Sequence, residues 1–274
     1  MKQQLLLLLA GLCLYLPGWA QTDTTGKSNT GDTIRIGSMI IIKQGGHDID
    51  DGKEVHVYKR HYYKPSNIST NWVIVDIGFA NFNDRTNYQS TSAQEFAPGS
   101  TSDWFNLRYS KSVDVNIWLF MQRLNVVKHV VNLKYGLGIE LNNYRYTENI
   151  KYLTNPTKII MDTIQYSKNK LAADYVTVPF MLNFDFTPHR RNGFGISVGA
   201  SFGYLYSSRQ KLISPEFGKQ KTHDNFDLNP WKISWIGEVQ LGPVKLFGSY
   251  ATQSMYKKGL DQVPYTFGLR LSNW

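Results

Sequence analysis

A chain of 274 residues can form one large domain or two ordinary ones, and 42% of this one is hydrophobic. The formal charge of +9 would allow contact with nucleic acid or an anionic surface, but Lys and Arg are scattered through polar segments and never cluster on one readable helix. We therefore expect no nucleic-acid partner. After the N-terminus no apolar run reaches eighteen residues, so no helical membrane span is predicted.

The first twenty residues have the pattern of a secretory signal peptide. Lys2 precedes an apolar stretch that ends near the small residue Ala20, so we assign residues 1–20 to a signal peptide removed during export. The single cysteine, Cys13, lies inside it, and Leu12 occupies the position where a lipoprotein signal has a small residue. The mature chain is then exported without a disulfide framework, which indicates a bacterial envelope protein.

Residues 21–71 are predicted to form a partly extended N-terminal periplasmic segment. A polar linker is followed by the β-rich run IRIGSMIIIK and by a second extended piece at 55–63, and Pro65 ends that piece. Between the two lies the acidic stretch HDIDDGKE, which lacks the twelve-residue spacing of a calcium loop. That stretch favours a solvated turn over a cation site.

From Trp72 onward the sequence predicts eight β-strands, because apolar and polar residues alternate through eight successive runs. Most runs have about the 9–11 residues that a tilted strand needs to cross a bilayer, whereas strands in soluble proteins average about 5–6 residues. The runs cover residues 72–82, 112–122, 131–146, 175–186, 193–206, 231–241, 244–252 and 265–274.

The connections between these runs alternate between long and short. The long ones are polar and cover residues 83–111, 147–174 and 207–230. Outer-membrane barrels show this alternation because tight turns join their strands on the periplasmic side and extended loops join them outside. We therefore predict an all-β fold, an eight-stranded antiparallel up-and-down transmembrane β-barrel over residues 72–274 with both ends in the periplasm.

One face of each predicted strand is apolar and carries no charge, as expected for a surface in contact with lipid. Burial in the core of a soluble two-sheet protein is the alternative interpretation. The outward candidates include Val73, Val75, Ile77, Phe79, Val113, Val115, Ile117, Leu119, Met121, Val176, Val178, Phe180, Leu182, Phe184, Phe186, Tyr265, Phe267, Leu269 and Leu271.

Aromatic residues crowd the ends of the predicted strands, and rings with polar edges favour the level of the lipid headgroups. Two aromatic girdles are therefore predicted. Trp118 and Phe120 are on the inward phase and are assigned to the lumen. The girdle candidates are Trp72, Phe82, Tyr144, Tyr146, Phe184, Phe186, Tyr204, Tyr206, Trp231, Trp235, Tyr250 and Tyr265.

The opposite face of the predicted strands carries small and charged residues, and charges in a narrow interior must pair and form hydrogen bonds. We hypothesise a salt-bridged plug in the lumen. Since the eighth strand must close against the first, Arg270 is expected near Asp76. An ion or proton pathway is the functional alternative. The residues of the predicted network are Asp76, Lys134, Glu140, Glu238 and Arg270.

The sequence contains no recognisable catalytic or metal-binding signature. Its six histidines are isolated from one another and from carboxylate clusters, so we expect no metal and no cofactor. Ser207, Ser208 and His223 share one predicted outer loop, and some eight-stranded outer-membrane barrels modify lipid with such residues. A lipid-modifying enzyme therefore remains an alternative to the non-enzymatic role that we expect.

Four runs, VIVDIGFANFND, NLKYGLGIELNNYRY, DYVTVPFMLNFDF and GFGISVGASFGYLY, resemble outer-membrane β-barrel proteins of Bacteroidota, the family that includes the PorT-like proteins. The resemblance covers about residues 72–274 and extends weakly to DTIRIGSMIIIK. It implies an outer-membrane location and an eight-stranded barrel, and it offers no catalytic residues. A few such proteins serve a secretion and gliding apparatus. Trp274 departs from the usual barrel terminus, being out of phase with Leu271 and Leu269.

Together these features predict an integral outer-membrane barrel with a structural or interaction role. A conducting pore is not expected, because eight strands leave an interior that side chains fill. The expected partners are outer-membrane lipid and envelope proteins, reached through the outer loops or the N-terminal segment. The alternatives are a lipid-modifying enzyme and a soluble ligand-binding barrel.

Overall fold

The structure is a computed structural model that describes residues 33–36, 39–42, 66–190 and 193–272. The chain divides into two units, Met1–Lys59 and Arg60–Trp274. In the first unit, strands β1 (Thr33–Ile36) and β2 (Met39–Ile42) pair antiparallel. The predicted signal peptide, the acidic stretch and the extended piece at 55–63 lie outside the described residues.

Eight strands of the second unit form a closed antiparallel ring in the order β3, β4, β5, β8, β9, β11, β12 and β13, with β13 paired to β3. The predicted eight-stranded antiparallel barrel is confirmed. The strands of this unit are β3 (Ile68–Asp84), β4 (Val113–Val127), β5 (Val131–Tyr146), β6 (Ile150–Thr154), β7 (Thr157–Met161), β8 (Lys168–Asp185), β9 (Phe194–Ser214), β10 (Gly218–His223), β11 (Trp231–Leu241), β12 (Val244–Ala251) and β13 (Gln262–Leu271).

The connections at one end of the ring are long and folded, and we call this the long-loop end. Between β3 and β4 lie helix α1 (Thr91–Phe96), which Ser90 caps, and two 3-10 turns. The β6–β7 hairpin connects β5 to β8, and β10 folds back along β9. The opposite, short-turn end has brief connections. In the described part of the chain, no helix is both long and apolar enough to cross a membrane.

The strands continue further into the long-loop end than the sequence predicted. β8 begins at Lys168 and β9 runs to Ser214, within the segments assigned to loops. The two strands stay hydrogen-bonded there, with Lys170 opposite Lys211. Their outward side chains become cationic where those nearer the short-turn end are apolar. The prediction placed the strand ends where the apolar face stops, whereas the backbone pairing does not depend on that face.

The alternation along β5 persists through the whole strand, with every even-numbered side chain buried and every odd-numbered one partly exposed. The outward residues of β8 are large and apolar, and Phe180 is 49% exposed on the outside of the ring. Monomeric soluble proteins rarely expose a continuous apolar belt of this kind. The outer wall is therefore suited to hydrocarbon.

A β-bulge in β4 reverses the two faces of that strand. The pairing with β5 shifts register between Trp118 and Phe120, and Leu119 is skipped in the pairings of β4 with both β5 and β3. One extra residue exchanges inward and outward positions beyond it. Met121, predicted to face lipid, is therefore buried in the interior. Phe120, predicted for the lumen, packs on the outside with its ring 5.9 Å from that of Trp72.

Most of the predicted girdle residues are exposed on the outer wall, for example Trp231 at 60% and Trp235 at 65%. The girdle prediction is wrong for Tyr144 and Tyr146, and also for Phe82, which packs against the buried interior with its ring 5.9 Å from that of Tyr144. The two tyrosines occupy the inward phase of β5 and are buried, and Phe82 occupies the inward phase of β3. An aromatic residue at a strand end belongs to the girdle when it shares the phase of the lipid-facing set, and these three do not.

Candidate functional site

The five residues of the predicted network lie in the interior of the ring at mid-height and come from four strands. Asp76 comes from β3, Lys134 and Glu140 from β5, Glu238 from β11 and Arg270 from β13. Each is at most 7% exposed. They meet because each occupies the inward phase of a strand whose outward phase is apolar, so the lumen is the single place where their charges avoid hydrocarbon.

Arg270 is the centre of this arrangement. Its Nε and Nη2 atoms donate to the two carboxylate oxygens of Asp76, each at 2.7 Å, and its Nη1 donates to Glu238 Oε2 at 2.6 Å. Trp118 Nε1 donates to Asp76 Oδ2 at 2.7 Å, and its ring lies 5.6 Å from the guanidinium. Two charge-assisted bonds in a planar fork fix both position and orientation.

The second carboxylate extends the chain of contacts across the lumen. Glu238 Oε1 accepts a hydrogen bond from Lys134 Nζ at 2.9 Å, and Lys134 Nζ also donates to Ser197 Oγ at 3.1 Å. The ion pairs therefore run from β3 through β13 and β11 to β5. We call the four residues Asp76, Arg270, Glu238 and Lys134 the ion-pair network.

The fifth predicted residue, Glu140, pairs elsewhere. Its Oε2 atom accepts a hydrogen bond from Lys232 Nζ at 2.6 Å, and that ammonium also lies 5.2 Å from the centre of the Tyr175 ring. The predicted set omitted Lys232, although the inward phase of β11 carries it. The missing information was the cross-lumen pairing, which depends on the stagger of strands far apart in sequence.

The space left at this level is small. A cavity of about 20 Å³ lies among Asp76, Trp118, Glu140 and Arg270, and this is room for about one water molecule. On the short-turn side the apolar side chains of Met121 and Met181 pack with Trp118. Side chains therefore fill the lumen at this height.

Above the charged level, the connections at the long-loop end fold over an apolar interior, and we call this whole region, with its interior and its outer surface, the cap. It combines inward residues of the ring with residues of the connections. Its buried members are Ala80, Phe96, Ala97, Phe105, Leu107, Tyr144, Tyr146, Ile150, Tyr152, Ile159, Leu171, Ala173, Tyr175, Phe226, Leu228, Met255, Tyr256 and Leu260.

Three tyrosine hydroxyls join the connections of the cap to the barrel wall. The hydroxyl of Tyr152 on β6 lies 2.9 Å from that of Tyr146 on β5 and 2.5 Å from that of Tyr256 in the connection between β12 and β13. Burial raises the pKa of the Tyr152 and Tyr256 hydroxyls well above the ordinary value of 10.0. Gln210 on β9 accepts a hydrogen bond from the Tyr152 backbone at 3.0 Å.

The residues of the enzymatic alternative lie around one recess. Ser207, Ser208 and His223 border a cavity of about 380 Å³ together with Asp224. The Ser208 hydroxyl donates to the backbone carbonyl oxygen of Asp224. In the residues that the structure describes, no hydrogen bond joins His223 to either serine, and no group of three or more His, Cys, Asp or Glu side chains is placed to hold a metal ion.

A closed ring of eight antiparallel strands with an apolar outer wall and a charged, filled lumen defines an integral barrel of the outer-membrane type. The sequence model of the outer membrane protein beta-barrel domain matches residues 76–256. The chain belongs to this family, and its place is the outer membrane. No curated protein matches it in sequence.

Proposed function

We propose that this protein is a closed, non-conducting outer-membrane barrel with a structural or interaction role, exercised mainly through the cap. The observation that carries the proposal is the ion-pair network, which crosses the lumen from β3 to β5 in unbroken contact. A pathway for ions or solutes would have to disrupt buried ion pairs, and that costs several kcal/mol.

The proposed orientation follows from the connections. Barrels of this class have short turns in the periplasm and long loops outside the cell. The long-loop end, with the cap, then faces outward, and the start of β3 and the end of β13 face the periplasm. A partner in the envelope would reach the protein through the cap or through the N-terminal segment.

The more specific assignment is an accessory of a secretion or gliding machinery. It rests on the resemblance of four strand sequences to PorT-like proteins of Bacteroidota. The folded connections of the cap agree with it, because they present ordered surface outside the membrane. Tyr109 and Phe217, at 66% and 51% exposed, are large side chains of that surface.

The closed lumen is tested by conductance in a planar lipid bilayer. We expect purified wild-type protein to produce no steady channels, because side chains fill the barrel at mid-height. The Arg270→Ala/Lys134→Ala variant provides the comparison, since it removes both cations of the network. Steady conductance by wild-type protein equal to that of this variant would refute the closed lumen.

The interaction role is tested by photo-crosslinking in intact cells from positions 109 and 217. Position 180, which faces outward from the middle of β8, is the control. We expect a discrete protein adduct from at least one of the two cap positions and lipid adducts from the control. Lipid or no adduct from both cap positions would argue against a partner at the cap.

The alternative, a lipid-modifying enzyme, is favoured by the recess that Ser207, Ser208 and His223 border. We propose no catalytic role, because Ser208 donates to a backbone carbonyl instead of to a base. Mass spectrometry of lipid A from a deletion strain distinguishes the two proposals. Unchanged lipid excludes the enzyme, whereas a change restored by wild type and not by Ser207→Ala would establish it.

A further inference from the structure

Basic side chains form a row across four neighbouring strands at the long-loop end. Arg145 on β5 lies opposite Lys170 on β8, Lys170 lies opposite Lys211 on β9, and Lys211 lies opposite Lys221 on β10. Positions two residues away share the face of a strand, and they add four more basic residues. The complete set, which we call the basic face, is Arg145, Lys168, Lys170, Arg209, Lys211, Lys219, Lys221 and His223.

The basic face points away from the barrel axis. Between its members, the alternate residues of β8 and β9 are buried, among them Leu171, Gln210 and Leu212. Gln210 donates to the Ile150 carbonyl at 3.0 Å, which places it against the β6–β7 hairpin inside the cap. All six residues of β10 are exposed. The cations therefore lie on the outer surface of the wall.

Few carboxylates neutralise this surface. Asp174 forms an ion pair with Arg209. Within the described ranges, none of Lys168, Lys211, Lys219 and Lys221 has a carboxylate within salt-bridge distance. Like charges directly opposite one another destabilise a strand pair. An anion bound across the row would relieve that repulsion.

The height of the row indicates which anion it meets. Tyr204 and Tyr206, each 49% exposed, lie on β9 at the level expected for the outer interface. Lys211 follows Tyr206 by five residues, which for a strand tilted by about 40° is a rise of about 12 Å. A phospholipid headgroup layer is about 5–8 Å thick. A glycolipid that carries phosphates on its sugars reaches higher.

We propose that the basic face binds the phosphate groups of a phosphorylated glycolipid in the outer leaflet. The inference rests on the orientation in the proposed function, which places the long-loop end outside the cell. The lower residues, Arg209 among them, meet phosphates near the bilayer surface, and Lys211 and Lys221 meet those borne higher on the sugars. Lysine and arginine near an anionic surface each contribute attraction that salt weakens.

The test compares two variants of the full chain purified in neutral detergent. The first is Lys168→Gln/Lys211→Gln/Lys219→Gln/Lys221→Gln, which removes the four cations without a carboxylate partner. The second, Lys111→Gln/Lys158→Gln/Lys257→Gln/Lys258→Gln, removes the same charge from long-loop connections away from the basic face. Native mass spectrometry measures binding of rough lipopolysaccharide, its dephosphorylated form, phosphatidylglycerol and inorganic phosphate.

We expect wild type and the second variant to retain phosphorylated lipopolysaccharide, and the first variant to bind it about tenfold less tightly or worse. Equal binding by both variants, or equal binding of the dephosphorylated form, would overturn the proposal. So would equal affinity for phosphatidylglycerol or inorganic phosphate. A photo-crosslinker at position 219 that captures an acidic protein and no glycolipid would also overturn it.

Two controls separate this inference from the proposed function. We expect both variants to fold, because the substituted lysines lie outside the barrel interior. Heat-modifiable migration on a detergent gel checks this. The planar-bilayer conductance of the first variant should match that of wild type. If lipid binding fails while conductance stays absent, the basic face has another role and the closed barrel stands.

Discussion

The two interiors of this barrel have opposite chemistry. At mid-height, where the outer wall is apolar, the lumen holds Arg270, Asp76 and other charged residues. In the cap, where the outer wall carries Lys170 and Lys211, the interior is built mainly of aromatic and aliphatic side chains. At each of the two levels, the polarity of the interior side chains is therefore opposite to that of the outer wall.

The difference reflects the solvent at each level. Lipid tails are as apolar as a leucine side chain, so the hydrophobic effect gives no drive to bury apolar residues in the membrane-spanning part. That interior is ordered by ion pairs and hydrogen bonds instead. Water surrounds the cap, where burial of apolar surface again contributes about 25 cal/mol per Å². The cap is thus a small soluble-type core built on a membrane barrel.

Arg270→Met should produce the largest loss of stability, because it leaves Asp76 and Glu238 buried without their shared cation. Removal of one partner from a buried ion pair costs about 3–5 kcal/mol. The unfolding temperature, followed by heat-modifiable gel migration, should fall clearly. Arg85→Met is the control, since the Arg85–Asp261 pair is about half exposed, at 51% and 47%, and pairs of this kind contribute about 0–1 kcal/mol. Equal melting of the two variants would contradict the role of the network.

Lys232→Met should cost about 3 kcal/mol, the lower end of the range for a broken buried pair, because it takes the cation from one buried carboxylate, Glu140, whereas Arg270→Met takes it from two. The double variant Lys232→Met/Glu140→Met should recover part of that loss, since no buried charge of the pair remains. Urea unfolding in lipid vesicles measures both. If the stability lost by the double variant equals or exceeds the sum of the losses of the two single variants, the pairing is refuted.

Gly268→Ala should weaken closure of the ring where β13 meets β3. A β-carbon at this position would lie 2.2 Å from the Ile77 carbonyl oxygen and 2.4 Å from the Gly78 α-carbon, so the strands must separate. Overpacking of this kind costs about 1–3 kcal/mol. The folded fraction after refolding into detergent is the measurement. Gly237→Ala is the matched control, because the nearest atom to its new β-carbon would be the Ser197 carbonyl oxygen at 3.9 Å. Refolding of the two variants to the same extent would show that the close contact at Gly268 is not critical.

Tyr152→Phe should have the smallest effect and a local one. It removes the hydroxyl between Tyr146 and Tyr256, and a lost hydrogen bond costs about 0.5–1.5 kcal/mol. Trypsin should cleave the long connections of reconstituted protein faster, while the melting of the barrel stays unchanged. Tyr109→Phe, at an exposed position, should leave cleavage as it is in wild type. A fall in barrel melting for Tyr152→Phe would show that cap and barrel unfold together.

The eight strands were predictable because a two-residue period needs no knowledge of neighbouring strands. The proximity of Arg270 and Asp76 was also accessible, since an eighth strand must close against the first. The partner of Glu140 was not, because Lys232 reaches it across the lumen. Met121 and Phe120 were placed on the wrong faces because a one-residue bulge leaves no mark on composition.

The cap and the basic face were missed for a related reason. Phe96, Ile150 and Phe226 lie in three connections whose overall composition is polar, so each segment alone resembles a solvated loop. Lys170, Lys211 and Lys221 are likewise separated in sequence and become neighbours through strand pairing. To predict which residues of different strands become neighbours, the register of strand pairing must be known. The alternation of residues within one strand does not give that register.

The position of the Asp76–Arg270 pair also bears on biogenesis. The acid belongs to the first strand of the ring and the base to the last, 194 residues later. A nascent or truncated polypeptide without its final strand therefore lacks the cation that forms the ion pair with Asp76 in the described part of the chain. Pairing of β13 with β3 closes the ring and also brings Arg270 to Asp76. The ion pair therefore forms only in molecules whose barrel is complete.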